Sequence, residues 1–250
     1  MDILETHAYD SRKRRNASCV LFLSLFPFFL SAAAYFYLWL PDPSPSVVSA
    51  AAKSAPVICL ALVVLTNNGM GSLLGVAGGL LFSAGGDICL IWPELFLHGM
   101  GSFAAAHLLY SLCFLTERYT YFSSSSTFFY VLYLLLWLLG GGVYIHLLPY
   151  LQKVPDAAVL TPGVGVYVLL IVIMATLALR TRRPLTLLGS LVFMVSDMCL
   201  ALQHFGVIPP HEYGQHVVMA TYYLAQLLIA VSDVRAKADE NDEFKKWKRS

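Results

Sequence analysis

Long apolar runs separated by short polar connections dominate the chain. Eight of them, at about residues 19–40, 47–65, 72–92, 95–115, 127–148, 162–179, 185–205 and 216–234, approach or exceed the roughly twenty residues that carry a helix across a bilayer. The runs are continuous and do not alternate apolar with polar positions, which argues against a lipid-spanning barrel. Backbone polar groups in hydrocarbon must be satisfied within their own segment. The pattern therefore predicts an all-α polytopic membrane protein, an eight-transmembrane-helix bundle over residues 19–234, with polar tails at 1–18 and 235–250.

Composition sharpens this picture. Of 250 residues, 58% are hydrophobic and 12% charged, about half the ~25% charged share of a soluble domain. So few charges cannot cover a water-exposed surface, which excludes a soluble enzyme. Five cysteines, an odd number set in apolar runs, exclude a secreted disulfide scaffold. A net charge of +1 leaves no nucleic-acid footprint.

The charges that remain set the topology. Arg12-Lys13-Arg14-Arg15 ahead of Ala32-Ala33-Ala34 resembles a signal peptide, but the apolar run continues to Leu40 and stops at Pro41-Asp42-Pro43, as in an uncleaved signal-anchor helix. With the N-terminus in the cytosol and eight crossings, that cluster, Arg118, Arg180, Arg182, Arg183 and the basic C-terminal tail all fall on the cytosolic side. Only Lys53 and Lys153 fall outside. The positive-inside rule selects this orientation, with both termini cytosolic. Lys246 and Lys248, fifth and third from the end, fit a dilysine-type retrieval signal for the endoplasmic reticulum; the other reading is a basic tail lying on anionic lipid.

Two acidic residues sit deep in spans, Asp87 in the third and Asp197 in the seventh. Ionisable groups at such depth face a bundle interior or a water-filled cavity. At 1.5 Å rise per residue they lie about 7 Å and about 3 Å outward of their span midpoints, so both carboxyls occupy the outer half. Asp-x-Cys-Leu occurs at both places, 110 residues apart. Either the identity is chance among Leu-rich helices, or spans one to four and five to eight are two parallel four-helix repeats about an axis along the membrane normal. His98, His107, His204, Tyr222 and Gln226 lie at comparable depth, and Ser83 sits one turn before Asp87. Tyr222 and Gln226, four apart, share a helix face. His98 and His107, nine apart, are about 180° around a helix, so only one of them faces a cavity.

Zinc chemistry needs histidines at i and i+4 on one helix face. The nearest approach is His211 and His216, five apart beside an external loop, while Cys89 and Cys199 point away from the aspartates. No metal and no other cofactor is expected. Gly71, Gly75 and Gly79, with Gly85-Gly86, have the spacing of close helix packing.

Four segments are familiar together: FSAGGDICLIW at Phe82–Trp92, HGMGSFAAAHLLY at His98–Tyr110, VFMVSDMCLALQHF at Val192–Phe205 and ATYYLAQLLIAVS at Ala220–Ser232. With Lys53 and Pro56 early in the second span, they resemble the lysoplasmalogenase family of multi-pass membrane proteins over about residues 20–235. The resemblance implies hydrolysis of the vinyl ether bond of lysoplasmalogens to a fatty aldehyde and glycerophosphoethanolamine or glycerophosphocholine. It also implies that Asp87 and Asp197 are the catalytic pair and that no metal is needed. The chemistry suits the residues. A vinyl ether hydrolyses by protonation of its β-carbon, and the resulting oxocarbenium ion needs a nearby negative charge and an activated water. Glycosidases meet a similar demand with two carboxyl groups in unlike environments. Which aspartate is acid and which is base or stabiliser stays open. Lys53, Ser83, His98, His204, Tyr222 and Gln226 are the candidates for binding the lysophospholipid; for Lys53, a phosphate contact competes with snorkelling to the interface. Two rival classes use the same aspartates: a proton-coupled transporter of a small amphiphile, and a scaffold in which the acids only tie helices together.

Overall fold

The structure, a computed structural model, describes residues 19–39, 44–119, 127–181, 183–209 and 213–248. The basic cluster at 12–15, the stop at 41–43, Arg182, His211 and the last two residues lie outside them. Every regular element among the described residues is helical. Helix α1 covers Cys19–Leu38, its α-helical part Phe26–Ala34 passing into a π-helical turn at Tyr35–Trp39. There follow α2 (Val47–Asn68), α3 (Val76–Cys89), α4 (Phe96–Phe114), α5 (Thr127–Leu151), α6 (Ala157–Arg180), α7 (Pro184–His204) and α8 (Gly214–Trp247). Local signals mark several ends. The Ser46 hydroxyl accepts a bond from the Ser49 N–H at 3.0 Å and caps α2, Gly69 ends it at φ 77°, and Pro184 opens α7.

Among the described residues, seven helices are long and apolar enough to cross a membrane. The exception corrects the expected third span: instead of one helix over 72–92, a 3₁₀ turn at Met70–Leu74 precedes a 14-residue helix. Fourteen residues reach about 21 Å, short of the ~30 Å hydrocarbon core. Irregular backbone at depth is tolerated where protein covers it, and α2 and α4 both pack closely along α3. The glycines make this possible. A Cβ at Gly79 would stand 2.2 Å from the Tyr110 ring, and one at Gly86 2.5 Å from the Phe103 ring. At the other extreme, α8 does not stop at 234 but runs unbroken for 34 residues. Beyond the membrane-facing part its sequence holds Ala, Lys, Glu and Arg without Gly or Pro, all good helix formers, and Lys237 pairs with Glu240 at 2.9 Å.

Helices α2, α3, α4, α6, α7 and α8 pack in a closed ring in that order, α8 returning to α2. α1 lies outside against α2, and α5 outside against α6. Adding four to each helix number maps this arrangement onto itself: α1 on α2 becomes α5 on α6, α3 on α4 becomes α7 on α8, and α4 on α6 becomes α8 on α2. That is the packing of two parallel four-helix repeats, and it places Asp87 of α3 and Asp197 of α7 at corresponding positions.

The end where α1 begins and α8 finishes, here the proximal end, is held by a buried carboxylate outside the expected pair. Asp233 of α8 accepts bonds from Asn68 Nδ2 at 2.6 Å, the Tyr119 hydroxyl at 2.8 Å, the Cys113 thiol at 3.6 Å and Arg118 Nη1 at 3.4 Å. Burial and the Asp233 carboxylate push the Tyr119 phenol well above its ordinary pKa, so it remains a donor. Arg183 stacks over the Tyr119 ring, donates to the Arg118 carbonyl at 3.3 Å and pairs with Asp239 at 3.0 Å. This cluster ties α2, α4 and α8, and through Arg183 the start of α7.

Candidate active site

Asp197 lies on α7, where Ser196 on one side is buried and donates to the Val218 carbonyl at 3.0 Å, fixing α7 against α8. Its Oδ2 accepts the Tyr167 hydroxyl of α6 at 2.6 Å and lies 3.1 Å from His107 Nε2 of α4. The same Nε2 is 3.0 Å from the Tyr167 oxygen. With the phenol proton given to Asp197, both contacts require Nε2 to be a donor. His107 is wholly buried, and its Nδ1 has no hydrogen-bond partner among the described residues. Three helices thus converge on one carboxyl oxygen.

Asp87, near the end of α3, is buried and accepts the Tyr222 hydroxyl of α8 at 2.7 Å. Lys53 of α2 is half-buried, its field reaches Asp87, and its backbone carbonyl accepts the Tyr223 hydroxyl at 2.7 Å. Behind them Tyr110 donates to Gln226 Oε1 at 2.7 Å, with Ser83 buried alongside. The two clusters correspond under the helix exchange. Each aspartate is bonded by the last helix of the other repeat, Tyr222 for Asp87 and His107 for Asp197. Each is also attended by the second helix of its own repeat, through Lys53 and Tyr167.

Their access differs. Asp197 lines a cavity, partly open to the outside, whose walls come mainly from α4, α5, α6 and α7. Apart from Asp197 and Tyr167 its lining side chains are apolar, among them Phe103, Val143, Val168 and Met198. Asp87 is not on its wall. Phe103 stands there instead, its ring 5.8 Å from that of Tyr222 and 6.5 Å from that of Phe193. Phe193 in turn packs on the His107 ring at 4.7 Å and on Tyr222 at 5.6 Å. These two aromatic rings stand between the polar clusters. On its outer side the Asp87 cluster is closed by α1, where Phe28, Tyr35 and Phe36 pack edge-on against Tyr223.

The residues expected to form the site are thus distributed unevenly. Asp87, Ser83, Tyr222 and Gln226 gather in one buried network beside Lys53. Asp197 heads the second cluster. His98 is exposed, and His204 is an exposed residue stacked on Phe96 at 3.7 Å; both stand at the distal end, outside either network. His107, its partner Tyr167, and Tyr110 complete the clusters. The half-turn between His98 and His107 said that one of them would face inward; nothing in the pattern said which. Among the described residues, no three His, Cys, Asp or Glu side chains gather closely enough to share a metal ion.

A helical bundle with Asp87 buried in its interior and Asp197, 12% exposed, on the wall of an apolar cavity defines a polytopic membrane protein built around an internal polar site. The chain belongs to the YhhN family, whose model matches residues 48–232. It is 37% identical over 236 residues to lysoplasmalogenase TMEM86A of Bos taurus, covering 87% of this chain and 91% of the relative. It is 41% identical over 210 residues to lysoplasmalogenase TMEM86B of Sus scrofa (83% and 85%), and 39% over 220 residues to that of Homo sapiens (87% and 89%). No solved structure matches the chain. The family resemblance carried by the four sequence segments therefore holds over most of the chain.

Proposed function

We propose that this chain is a lysoplasmalogenase, an intramembrane hydrolase that cleaves the vinyl ether bond of lysoplasmenylethanolamine or lysoplasmenylcholine to a fatty aldehyde and the corresponding glycerophosphodiester. The observation that carries the proposal is Asp197 on the wall of an apolar cavity, held by Tyr167 and His107; the relatives' names support the substrate class. In this reading Asp197, in its acid form, delivers a proton to the β-carbon of the alkenyl chain. The carboxylate left behind faces the oxocarbenium ion it has created. Water adds to the ether-bearing carbon and gives its proton to the basic group beside it, Asp197 or His107. The hemiacetal then collapses: its hydroxyl loses a proton as the C–O bond to glycerol breaks, the departing oxygen takes up one proton to leave as the alcohol, and the proton released by the added water restores the acid. Asp87 is the second carboxyl. As a carboxylate behind the Phe103 ring it would favour the cation from the far side of that ring, as charge placed ahead of the reaction does in other active sites.

The enzyme is placed in the endoplasmic reticulum with both termini cytosolic, on the asymmetry of basic residues and the Lys246 and Lys248 signal. The decisive assay uses the full chain in detergent with alkenyl and acyl lysophospholipids. Aldehyde release from the alkenyl lipid alone is expected. Asp197→Asn should lower it by about 10²–10⁴-fold, the usual range for a positioned acid–base group, and Asp87→Asn should also lower it. Full aldehyde release by either variant would end the two-carboxylate mechanism. Proton-coupled flux of the lipid in liposomes, with no aldehyde formed, would replace the hydrolase by a transporter.

A further inference from the structure

We infer that the alkenyl chain of the substrate is held only at its vinyl-ether end, and that its remainder lies in the bilayer, passing through a lateral window between α5 and α7 flanked by Leu139 and Val195. The inference rests on the hydrolase reading and adds the route of the chain.

The first argument is length. On α7 the cavity lining runs from Met194 to Phe205. Asp197 is therefore only about 4.5 Å from the proximal limit of the cavity along that helix and about 12 Å from its distal limit. On α6 the lining continues from Tyr167 to Val172, about 7.5 Å. A lipid chain spans one leaflet, half of the ~30 Å hydrocarbon core or about 15 Å. With the vinyl ether at Asp197 and the headgroup toward the distal end, roughly half the chain has no room on the proximal side.

The second argument is the wall. Among the described residues the extensive packing of α5 is on α6, so it and α7 flank a slot whose floor is α6. Leu139 of α5 and Val195 of α7 both line the cavity, yet are 48% and 43% exposed. Residues that belong to a cavity and to the lipid-facing surface mark where the two join. Gly140, beside Leu139, keeps the floor close, since a Cβ there would meet Val172 Cγ2 at 2.4 Å. An apolar opening at membrane depth suits a hydrocarbon chain; a polar ligand would be left without partners there. On the Asp87 side the α1 aromatics Phe28, Tyr35 and Phe36 pack against Tyr223 of α8, whereas the cavity beside Asp197 takes no lining residue from α1.

The test compares chain lengths. Wild type, Val195→Trp, Leu139→Trp and, as a control, Leu188→Trp are assayed on two 1-alkenyl glycerophosphocholines, one with a sixteen-carbon and one with a four-carbon chain. Leu188 is an exposed α7 residue that does not line the cavity. A blocked window should lower kcat/KM on the long chain on the order of tenfold or more, as displacement of a bound substrate does, with little change on the short one. The short-chain rate thereby serves as the check that each variant is folded. Leu188→Trp should match wild type on both. Equal loss on both chains by variants that stay monodisperse, or no loss on either, would overturn the window while leaving the hydrolase intact. No aldehyde from wild type on either chain would overturn the hydrolase reading, and the window with it.

Discussion

Asp197 and Asp87 stand out in the sequence because a carboxyl is conspicuous among apolar residues, and the structure places both in the interior. Their partners were harder to read. Lipid is as apolar as the bundle core, so hydropathy does not say which face of a membrane helix points inward. His98 and His107 are equivalent on that basis, and nothing in the pattern singles out Tyr167 among the 14 tyrosines. The hydroxyl of Tyr167 can be tested directly, since Tyr167→Phe keeps the ring against His107 and removes the 2.6 Å bond to Asp197 together with the 3.0 Å contact to His107 Nε2. A hydrogen bond to a charged group is worth about 1.5–3 kcal/mol. kcat should therefore fall roughly 10–100-fold with KM within about twofold, the pattern of an interaction made in the transition state. Lys53 gives the opposite kind of question. If its role is to balance Asp87, Lys53→Met should lower kcat on the order of tenfold and leave KM nearly unchanged, because the lost partner belongs to a buried charge. A rise in KM alone would assign Lys53 to the lipid phosphate instead.

At the scale of elements, seven of the eight helices follow from the length of their apolar runs, and the eighth shows what that rule omits. Run length measures how much chain avoids water; it does not measure how much of it is covered by protein. α3 is short because its glycines let Tyr110 and Phe103 come against its backbone, which brings Asp87 into the ring of helices. The same contacts set its tolerance to substitution. Gly79→Ala puts a methyl into the ring of a tyrosine held by Gln226, and should destabilise by about 1–3 kcal/mol, the usual cost of overpacking. Gly101→Ala, in α4 with nothing within 4 Å of its new Cβ, should stabilise by roughly 0.5–1 kcal/mol through helix propensity. Thermal unfolding in one detergent should therefore move in opposite directions for the two variants.

The helix packing divides the molecule into two similar halves whose aspartates have different surroundings. The recurrence of Asp-x-Cys-Leu was the only sequence trace of this; the packing shows it through neighbours, which sequence spacing cannot supply. In one half Asp197 lines an apolar cavity, and in the other the α1 aromatics pack on Tyr223 over the Asp87 cluster. A bundle with an open slot on one side needs its helices fastened elsewhere, and the Asp233 cluster at the proximal end does this. That residue stands one position inside the end of an apolar run, where a carboxylate reads as a boundary marker, so its burial was not legible. Removing it in Asp233→Ala strands the Asn68 amide, the Tyr119 hydroxyl and the partly buried Arg118 together. Breaking one side of a buried ion pair costs about 3–5 kcal/mol, so the unfolding midpoint should fall clearly. Glu240→Ala, which removes a half-exposed pair with Lys237, should cost less than about 1 kcal/mol. Because the cluster touches neither Asp87 nor Asp197, the Asp233→Ala protein that remains folded should retain its rate on alkenyl lysolipid. A midpoint equal to wild type would mean that helix packing alone holds the proximal end.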